Sequence, residues 1–144
     1  MVLWPILIKQ THKEIIIKKN FFIIKMNSNK ENNLIKTLGL LKNSYSPYSN
    51  FKVASSVITK DNKFFGGVNV ENSSYGLTMC AERNAIFNAI SNGIKKENID
   101  YLILVSESKK KIFPCGACLQ VLSEFLGEDT DVIIQENNNI SIYK

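Results

Sequence analysis

The residues with the clearest capacity for chemistry are the three cysteines, Cys80, Cys115 and Cys118. Cys115 and Cys118 are three positions apart at the start of a predicted helix, so their thiols lie on the same helical face. An odd number of cysteines with one Cys-x-x-Cys pair favours metal binding or redox chemistry over a disulfide framework. The only histidine, His12, lies far upstream, so a metal bound here would have three protein ligands. A zinc site of that kind keeps a position for water and is typical of catalysis.

Other interpretations of the cysteines remain open at this point. A thioredoxin-like redox pair would use Cys115 and Cys118 but would leave Cys80 and Glu82 without a role. A structural zinc site would need a carboxylate as its fourth ligand. Burial of the cysteines as small apolar side chains is disfavoured because all three fall at the starts of two helices, where the helix dipoles favour thiolate.

Hydrophobic periodicity and turn residues predict the elements that must position these thiols. The predicted helices cover 28–44, 79–92 and 115–126, and the predicted strands cover 51–59, 64–70, 101–106, 132–135 and 140–143. In the first helix, one apolar face is formed by Leu34, Ile35, Leu38 and Leu41. The strand over 101–106 is almost entirely apolar, which indicates burial on both sheet faces. The predicted elements follow in the order α-β-β-α-β-α-β-β, which indicates an α/β fold with a mixed sheet and helices on its faces.

The first 25 residues differ from the rest of the chain in charge. Five lysines against one glutamate account for +4 of the net charge of +5, which leaves about +1 on residues 26–144. That is too little for the basic surface that nucleic-acid binding requires. Lysines also interrupt the apolar stretches too often for a membrane span of roughly 20 residues, and the signal-peptide pattern is missing. We expect one domain over 26–144 and a cytoplasmic location, with no nucleic-acid or membrane partner.

The status of residues 1–25 is left open by the sequence. They are upstream of a physiological start at Met26, or a genuine extension that lies on the domain or a partner, or an unusual targeting peptide.

Two motifs together resemble those of one enzyme family. Cys-Ala-Glu-Arg at 80–83, followed by Pro-Cys-Gly-Ala-Cys at 114–118, is similar to the paired motif of cytidine deaminases. The similarity runs from about Leu34 to Gln135 and includes the segments 46–51 and 69–75. It implies a three-layer α/β/α cytidine-deaminase-like fold with a central mixed five-stranded sheet. It also implies a homotetramer with sites at subunit boundaries.

The resemblance assigns roles to the motif residues. It implies that Cys80, Cys115 and Cys118 bind Zn²⁺, which activates a water for attack on C4 of the pyrimidine. Glu82 would take the water proton, give it to N3 and assist loss of the amino group as ammonia. Arg83 would offset the negative charge of three thiolates around the metal. The alternatives are a solvated acid in the first helical turn for Glu82 and a surface arginine for Arg83.

The resemblance also implies six substrate-binding residues: Phe51, Asn69, Glu71, Ala81, Tyr48 and Tyr75. Asn69 and Glu71 match a pair that binds the ribose 3′-hydroxyl, and their spacing on a predicted strand puts both on one face. Phe51 matches an aromatic residue that packs against the pyrimidine, although a strand-core position is the alternative. Ala81 would contact the base through its backbone, and Tyr48 and Tyr75 would belong to the surrounding pocket.

Two departures from the family pattern stand out. The usual Gly-Ala-Ala after Phe51 is replaced by Ala54-Ser55-Ser56, which we expect to affect packing only. Family members commonly continue into a Leu-Leu-Pro segment ending in a Phe that covers the base, whereas this sequence stops at Lys144. Either other aromatic groups close the pocket, or the site is more open than usual.

The resulting hypothesis is zinc-dependent hydrolytic deamination of cytidine and 2′-deoxycytidine, a step of pyrimidine salvage. A deaminase of a blasticidin-type aminopyrimidine antibiotic is the rival enzyme. A non-catalytic, zinc-stabilised binding protein is the rival from another class.

Overall fold

A five-stranded mixed sheet, with helices on both faces, organises the computed structural model, which describes residues 16–19, 22–108, 111–136 and 139–144. The strands are β1 Ile16–Lys19, β2 Phe22–Lys25, β3 Val53–Thr59, β4 Phe64–Val68, β5 Ile99–Ser106, β6 Asp131–Glu136 and β7 Asn139–Tyr143. The main sheet has the order β4-β3-β5-β6-β7, and only the β5–β6 pair among these is parallel. Strands β1 and β2 form a separate antiparallel pair, and β1 lies beside β7.

Residues 1–15, 20 and 21 of the predicted extension lie outside the described residues. The rest of that segment forms β1 and β2, which the sequence did not predict.

Three helices connect and cover the main sheet. They are α1 Ser28–Leu40, α2 Ala81–Ser91 and α3 Gly116–Phe125. The side chain of Asn27 caps α1 by accepting a 2.9 Å hydrogen bond from the Lys30 amide. Behind α2, Gly93 has a φ of +79°, a conformation that only glycine adopts readily. Within the described chain, no helix is long and apolar enough to cross a membrane.

Helix α1 packs on one face of the sheet and α2 and α3 on the other, which confirms the predicted three-layer α/β/α arrangement. On the α1 side, Leu34 and Leu41 pack against the buried strand residues Ile58, Ile103 and Ile133. On the opposite side, α2 and α3 contribute the apolar cluster Ala85, Ile86, Ala89, Leu122 and Leu126. Strand β5 is buried at every position except Asp100, so burial on both of its faces is confirmed.

The prediction for the first helix was wrong about the burial of one residue, Ile35, and about where the helix ends. Ile35 is 53% exposed, because the inward row of α1 also contains the polar residues Asn33 and Thr37. The α-helix stops at Leu40 and a 3₁₀ turn over Leu41–Asn43 follows it. Buried hydroxyls attach α1 to the sheet, because Thr37 hydrogen-bonds the Ser56 hydroxyl at 2.6 Å. Each such hydroxyl needs a partner once it leaves water.

Gly67 on β4 allows α2 to approach the sheet closely. A Cβ at this position would lie 2.6 Å from the Ala81 carbonyl oxygen and still closer to the Ala85 amide nitrogen. Real Cβ atoms do not come so near to backbone atoms, so any side chain here would push α2 outward. The start of α2, with Cys80 and Glu82, is therefore positioned by the absence of a side chain on β4.

Candidate active site

The three cysteines converge at the starts of α2 and α3. Cys80 and Cys115 occupy the N-cap positions, directly before the first residues of α2 and α3, and Cys118 lies in the first turn of α3. The predicted helices over 79–92 and 115–126 had placed both N-cap residues inside the helices. Their Sγ atoms are separated by 3.8 Å between Cys80 and Cys115 and by 3.5 Å between Cys115 and Cys118. All three sulfurs lie within 4.8 Å of one another, so a single metal ion could contact all of them. His12 lies outside the described residues.

The electrostatic environment of the thiols favours negative charge on Cys80. The pKa of Cys80 is lowered to about 5, chiefly by hydrogen bonding with the Cys118 thiol. Partial burial opposes this shift, and the Arg83 guanidinium lowers the pKa further. The same hydrogen bond, together with burial, raises the pKa of Cys118. Among the metal-free thiols, negative charge is therefore favoured on Cys80 and disfavoured on Cys118. Cys80 and Cys115 are the N-cap residues of α2 and α3, so the positive ends of both helix dipoles lie beside these thiols and favour negative charge there.

Arg83 contacts the thiolate from the side of α2. Its Nη2 lies 3.4 Å from the Cys80 Sγ and 3.5 Å from the Thr78 carbonyl oxygen. A guanidinium at this distance contributes positive charge without occupying a metal-binding position.

Glu82 is a buried acid, and not a solvated residue on a helix surface. Only 4% of it is exposed, and it lies in the first turn of α2, two residues after Cys80. Burial raises the pKa of the Glu82 carboxyl, and the neighbouring Cys80 charge acts in the same direction. A carboxyl with a raised pKa holds a proton closer to neutral pH, which suits a group that both accepts and returns protons.

A cavity of about 220 Å³ is lined by some of these groups, whereas Cys118 and Arg83 lie outside its lining. The predicted site residues that line it are Phe51, Asn69, Cys80, Ala81, Glu82 and Cys115. Its other lining residues, which sequence reasoning missed, are Val53, Thr78, Leu104, Ile112 and Phe113. Most of the wall is apolar, with a few polar side chains among the lining residues, as in sites that bind small organic molecules. Phe51 is 39% exposed and precedes β3, so it is not a strand-core residue.

Asn69 and Glu71 do not alternate along one strand, because β4 ends at Val68. After that point Val70 forms isolated bridges to Tyr45 and Met79, which carry the chain away from β3. Both side chains nevertheless turn toward the loop of residues 44–53. Asn69 accepts a 2.9 Å hydrogen bond from the Val53 amide and donates one of 2.8 Å to the Phe51 carbonyl.

Glu71 holds the tip of the same loop. Its carboxylate accepts hydrogen bonds from the Tyr48 amide at 2.9 Å, from the Ser49 amide at 3.2 Å and from the Ser49 hydroxyl. The hydrogen bond from the Ser49 hydroxyl contributes most to lowering the pKa of the Glu71 carboxyl. The two amide hydrogen bonds act in the same direction, and burial opposes them. Glu71 does not line the cavity. Its link to the cavity is indirect, because it bonds the loop that also carries the lining residue Phe51.

The two predicted tyrosines lie at the surface beside the site. Tyr48 is 54% exposed and Tyr75 is 73% exposed, and neither side chain lines the cavity. Tyr48 takes part in the site through its backbone amide, which bonds Glu71. Phe113 lies in a loop, where no hydrophobic periodicity marks a lining residue. Its position directly before Pro114-Cys115 could nevertheless have indicated that it lies near the site.

Comparisons with known proteins agree with this geometry. The family model described as "Cytidine and deoxycytidylate deaminase zinc-binding region" matches residues 27–136. The cytidine deaminase of Mycoplasma genitalium is 43% identical over 108 residues, which cover 74% of this chain and 81% of that protein. The crystal structure of cytidine deaminase from Burkholderia pseudomallei superposes with a TM-score of 0.74 at 35% identity, covering 83% of this chain and 93% of that one.

A relative of the rival type is more distant. A blasticidin-S deaminase from Bacillus cereus is 29% identical over 96 residues, which cover 61% of this chain and 66% of that protein.

Proposed function

The chain belongs to the cytidine and deoxycytidylate deaminase family, and from that premise we propose that it hydrolyses cytidine and 2′-deoxycytidine to the uridine products and ammonia. The observation that carries the proposal is the grouping of three thiols within 4.8 Å of one another with a buried glutamate in the wall of one cavity. A purely structural metal site has no need of such a glutamate, so this grouping favours an enzyme over a zinc-stabilised binding protein. Pyrimidine salvage is the metabolic role that we propose.

Zinc is the metal that the donor atoms fit. Tetrahedral coordination with Zn–S bonds of about 2.3 Å requires ligand sulfurs about 3.8 Å apart. The observed separations of 3.8 and 3.5 Å are close to that value, so little rearrangement is needed for Cys80, Cys115 and Cys118 to bind one ion. Zinc held by three protein ligands supplies a Lewis acid that acidifies water.

Glu82 is the proposed proton carrier. Its buried carboxylate takes a proton from the attacking water and delivers it to N3 of the pyrimidine. Once the water oxygen has bonded to C4, the same carboxyl takes the remaining proton of that hydroxyl and gives it to the 4-amino group; the C4–N bond breaks, ammonia leaves, and the 4-oxo group of the uridine product remains. The raised pKa of the Glu82 carboxyl makes the protonated form accessible for both deliveries. Arg83 compensates the charge of the thiolates, as its 3.4 Å contact with Cys80 indicates.

The remaining polar residues are proposed to position the nucleoside. Asn69 lies in the cavity wall and offers an amide to a sugar hydroxyl, in exchange for one of its present bonds to the loop. Glu71 is proposed to complete the sugar site, since it is buried, lies two residues after Asn69 and bonds the same loop. Phe51 is proposed to pack against the base, and Ala81 to contact it through its backbone. Tyr48 and Tyr75 are proposed as rim residues.

Residues 26–144 are proposed to form the catalytic domain. Met26 is 3% exposed and packs with Leu34 and Ile140 in the core, so Met26 is part of the domain. A protein that lacks residues 1–25 is expected to keep its fold and its activity within about twofold, as thermal unfolding and ammonia release would measure. Insolubility or inactivity of that protein would move the boundary upstream.

We also propose a homotetramer in the cytoplasm. The exposed apolar side chains of Tyr48, Tyr75 and Leu77 beside the cavity support association, and three free thiols are consistent with a reducing compartment. Analytical ultracentrifugation of the purified protein would test the assembly.

One experiment tests the proposed function directly. Zinc content and ammonia release are measured with cytidine, 2′-deoxycytidine, cytosine and blasticidin S as substrates. We expect about one zinc per chain and turnover of the two nucleosides above that of the other compounds. Preference for blasticidin S, or zinc without any ammonia release, would refute the proposal in favour of one of its rivals.

A further inference from the structure

Phe113 belongs to two concave surfaces at once. It lines the 220 Å³ cavity together with Glu82 and Cys115, and it also lines a groove of about 510 Å³ beside α3. The residue lies in the segment before α3, two positions from Cys115, and is 54% exposed. Its side chain therefore forms part of the partition between the catalytic cavity and the groove.

The ring of Phe113 is held by two contacts despite its exposure. Tyr143 on β7 packs against it edge to face, with ring centroids 5.6 Å apart and an interplanar angle of 66°. The Lys111 ammonium lies 4.8 Å from the centroid of the same ring. Edge-to-face packing and cation–π attraction both favour one ring orientation. The phenyl group is thus ordered before any ligand binds, which lowers the entropy cost of using it in recognition.

We propose that Phe113 is a substrate-contacting residue whose ring, together with Phe51, supplies the aromatic wall for the pyrimidine, and that Tyr143 is its positioning residue. This inference rests on the proposed function, since it specifies how that site holds its base. A flat heteroaromatic ring entering the cavity covers apolar surface of Phe113 that is now exposed to water. The phenyl ring of Phe113 has no titratable or hydrogen-bonding group, so it contributes to substrate binding and takes no part in proton transfer.

The test measures binding and turnover separately in the zinc-loaded full chain. The dissociation constant of the product uridine, KM and kcat for cytidine, and zinc content are compared for the wild type, Phe113→Ala, Phe113→Tyr and Tyr143→Ala. Phe87→Ala is the matched control, because Phe87 on α2 is also partly exposed at 39% but lines neither concave surface.

Phe113→Ala is expected to raise the uridine dissociation constant and KM about tenfold, the size of effect typical for loss of an aromatic–base contact. Its kcat and zinc content should stay within about twofold of wild type. Phe113→Tyr should restore binding, Tyr143→Ala should show a rise of about threefold, and Phe87→Ala should show none. A folded Phe113→Ala protein with unchanged binding overturns the inference. If that variant does not fold, Tyr143→Ala decides: a raised KM supports the inference and an unchanged one overturns it.

Failure of the proposed function gives a different result. A wild-type protein that binds uridine but releases no ammonia refutes the deaminase, while the uridine affinities of the variants still judge Phe113. A wild-type protein that neither binds uridine nor releases ammonia overturns both.

Discussion

The two ends of the candidate site are built by different physical means. At the thiol end, Cys80 and Cys115 begin helices that are packed against the sheet, and Gly67 lets α2 approach β4 closely. At the other end, Asn69 and Glu71 hold the irregular loop of residues 44–53 by side-chain hydrogen bonds to its backbone. The thiol end depends on the close packing of regular elements, whereas the loop end depends on a few polar contacts near solvent.

This difference indicates which end tolerates change. Packed helices resist displacement because their positions are determined by many contacts at once. A loop held by a carboxylate and an amide can exchange those bonds for bonds to a ligand, which is useful where a substrate must enter and leave. We therefore expect large losses from substitutions at the thiol end and graded losses in binding at the loop end.

The largest effect is expected for Cys115→Ala. Cys115 is exposed, so its removal costs little packing, and its loss leaves two sulfur ligands for the metal. Zinc content should fall from about one per chain to near zero, with loss of turnover to the detection limit. Ser123→Ala, an exposed position on the same helix, is the control. Metal-free Cys115→Ala protein with undiminished ammonia release would contradict the assignment of the thiol end.

Glu82→Gln is expected to lower kcat by about 10²–10⁴-fold or more, since a positioned acid–base group contributes that much and Gln carries no proton at neutral pH. Zinc content should be unchanged. Burial raises the pKa of the Glu82 carboxyl, so its ionised form destabilises the folded state. The metal-free variant should therefore unfold at the wild-type temperature or above, as calorimetry would record. A stable, zinc-loaded variant with near wild-type turnover would refute the role of Glu82, and a variant without zinc would make it a structural partner of the metal site.

Gly67→Ala tests whether close packing positions the thiol end. The added Cβ would overlap the backbone of α2, which should lower the free energy of unfolding by about 1–3 kcal/mol and weaken zinc binding together with turnover. Gly39→Ala is the control, because Gly39 in α1 has nothing within 4 Å of its Cβ position. That variant should be unchanged or slightly more stable, as expected for alanine in a helix. Equal behaviour of the two variants in thermal unfolding would show that the approach of α2 to β4 is not critical.

The smallest effect is expected at Glu71. Glu71→Ala should lower kcat/KM for cytidine about tenfold, because a hydrogen-bonding partner of the sugar is lost. The residual reaction with free cytosine should change less, and zinc content should not change. Glu71→Gln, which keeps one acceptor oxygen, should lie between wild type and Glu71→Ala. Equal losses on cytidine and cytosine would instead identify Glu71 as a clamp of the loop alone, since both substrates would then sense the displaced Phe51.

The sequence was most informative where regular structure carries the chemistry. Cys115 and Cys118 are three residues apart, and a spacing of three on a helix gives one spatial result, so their proximity could be predicted. The strands of the main sheet could be predicted as well, because burial on one or two faces leaves a characteristic pattern in positions such as 101–106. Ile35 was misjudged because the inward face of α1 includes polar side chains, Asn33 and Thr37, whose partners come from distant parts of the chain.

Loop geometry could not be predicted in the same way. The bonds from Glu71 to residues 48 and 49 span more than twenty positions and follow no period. The ring of Phe113, a cavity residue, packs against Tyr143 of β7, which follows it by about thirty positions in the chain. Such contacts depend on the tertiary fold, so a motif could identify their neighbourhood but not their geometry.

The buried serines of β3 bear on how the chain assembles. Ser55 donates a 2.7 Å hydrogen bond to the Ile103 carbonyl on β5, while the hydroxyl of Ser56, on the opposite face, is hydrogen-bonded to the Thr37 hydroxyl of α1. Sliding β3 by one residue would exchange its two faces. Docking α1 one turn away would leave the Ser56 hydroxyl in the core without its partner, at a cost of about 1–3 kcal/mol. An alanine pair would tolerate these misalignments at a lower cost, so the two hydroxyls favour the native strand register over its alternatives.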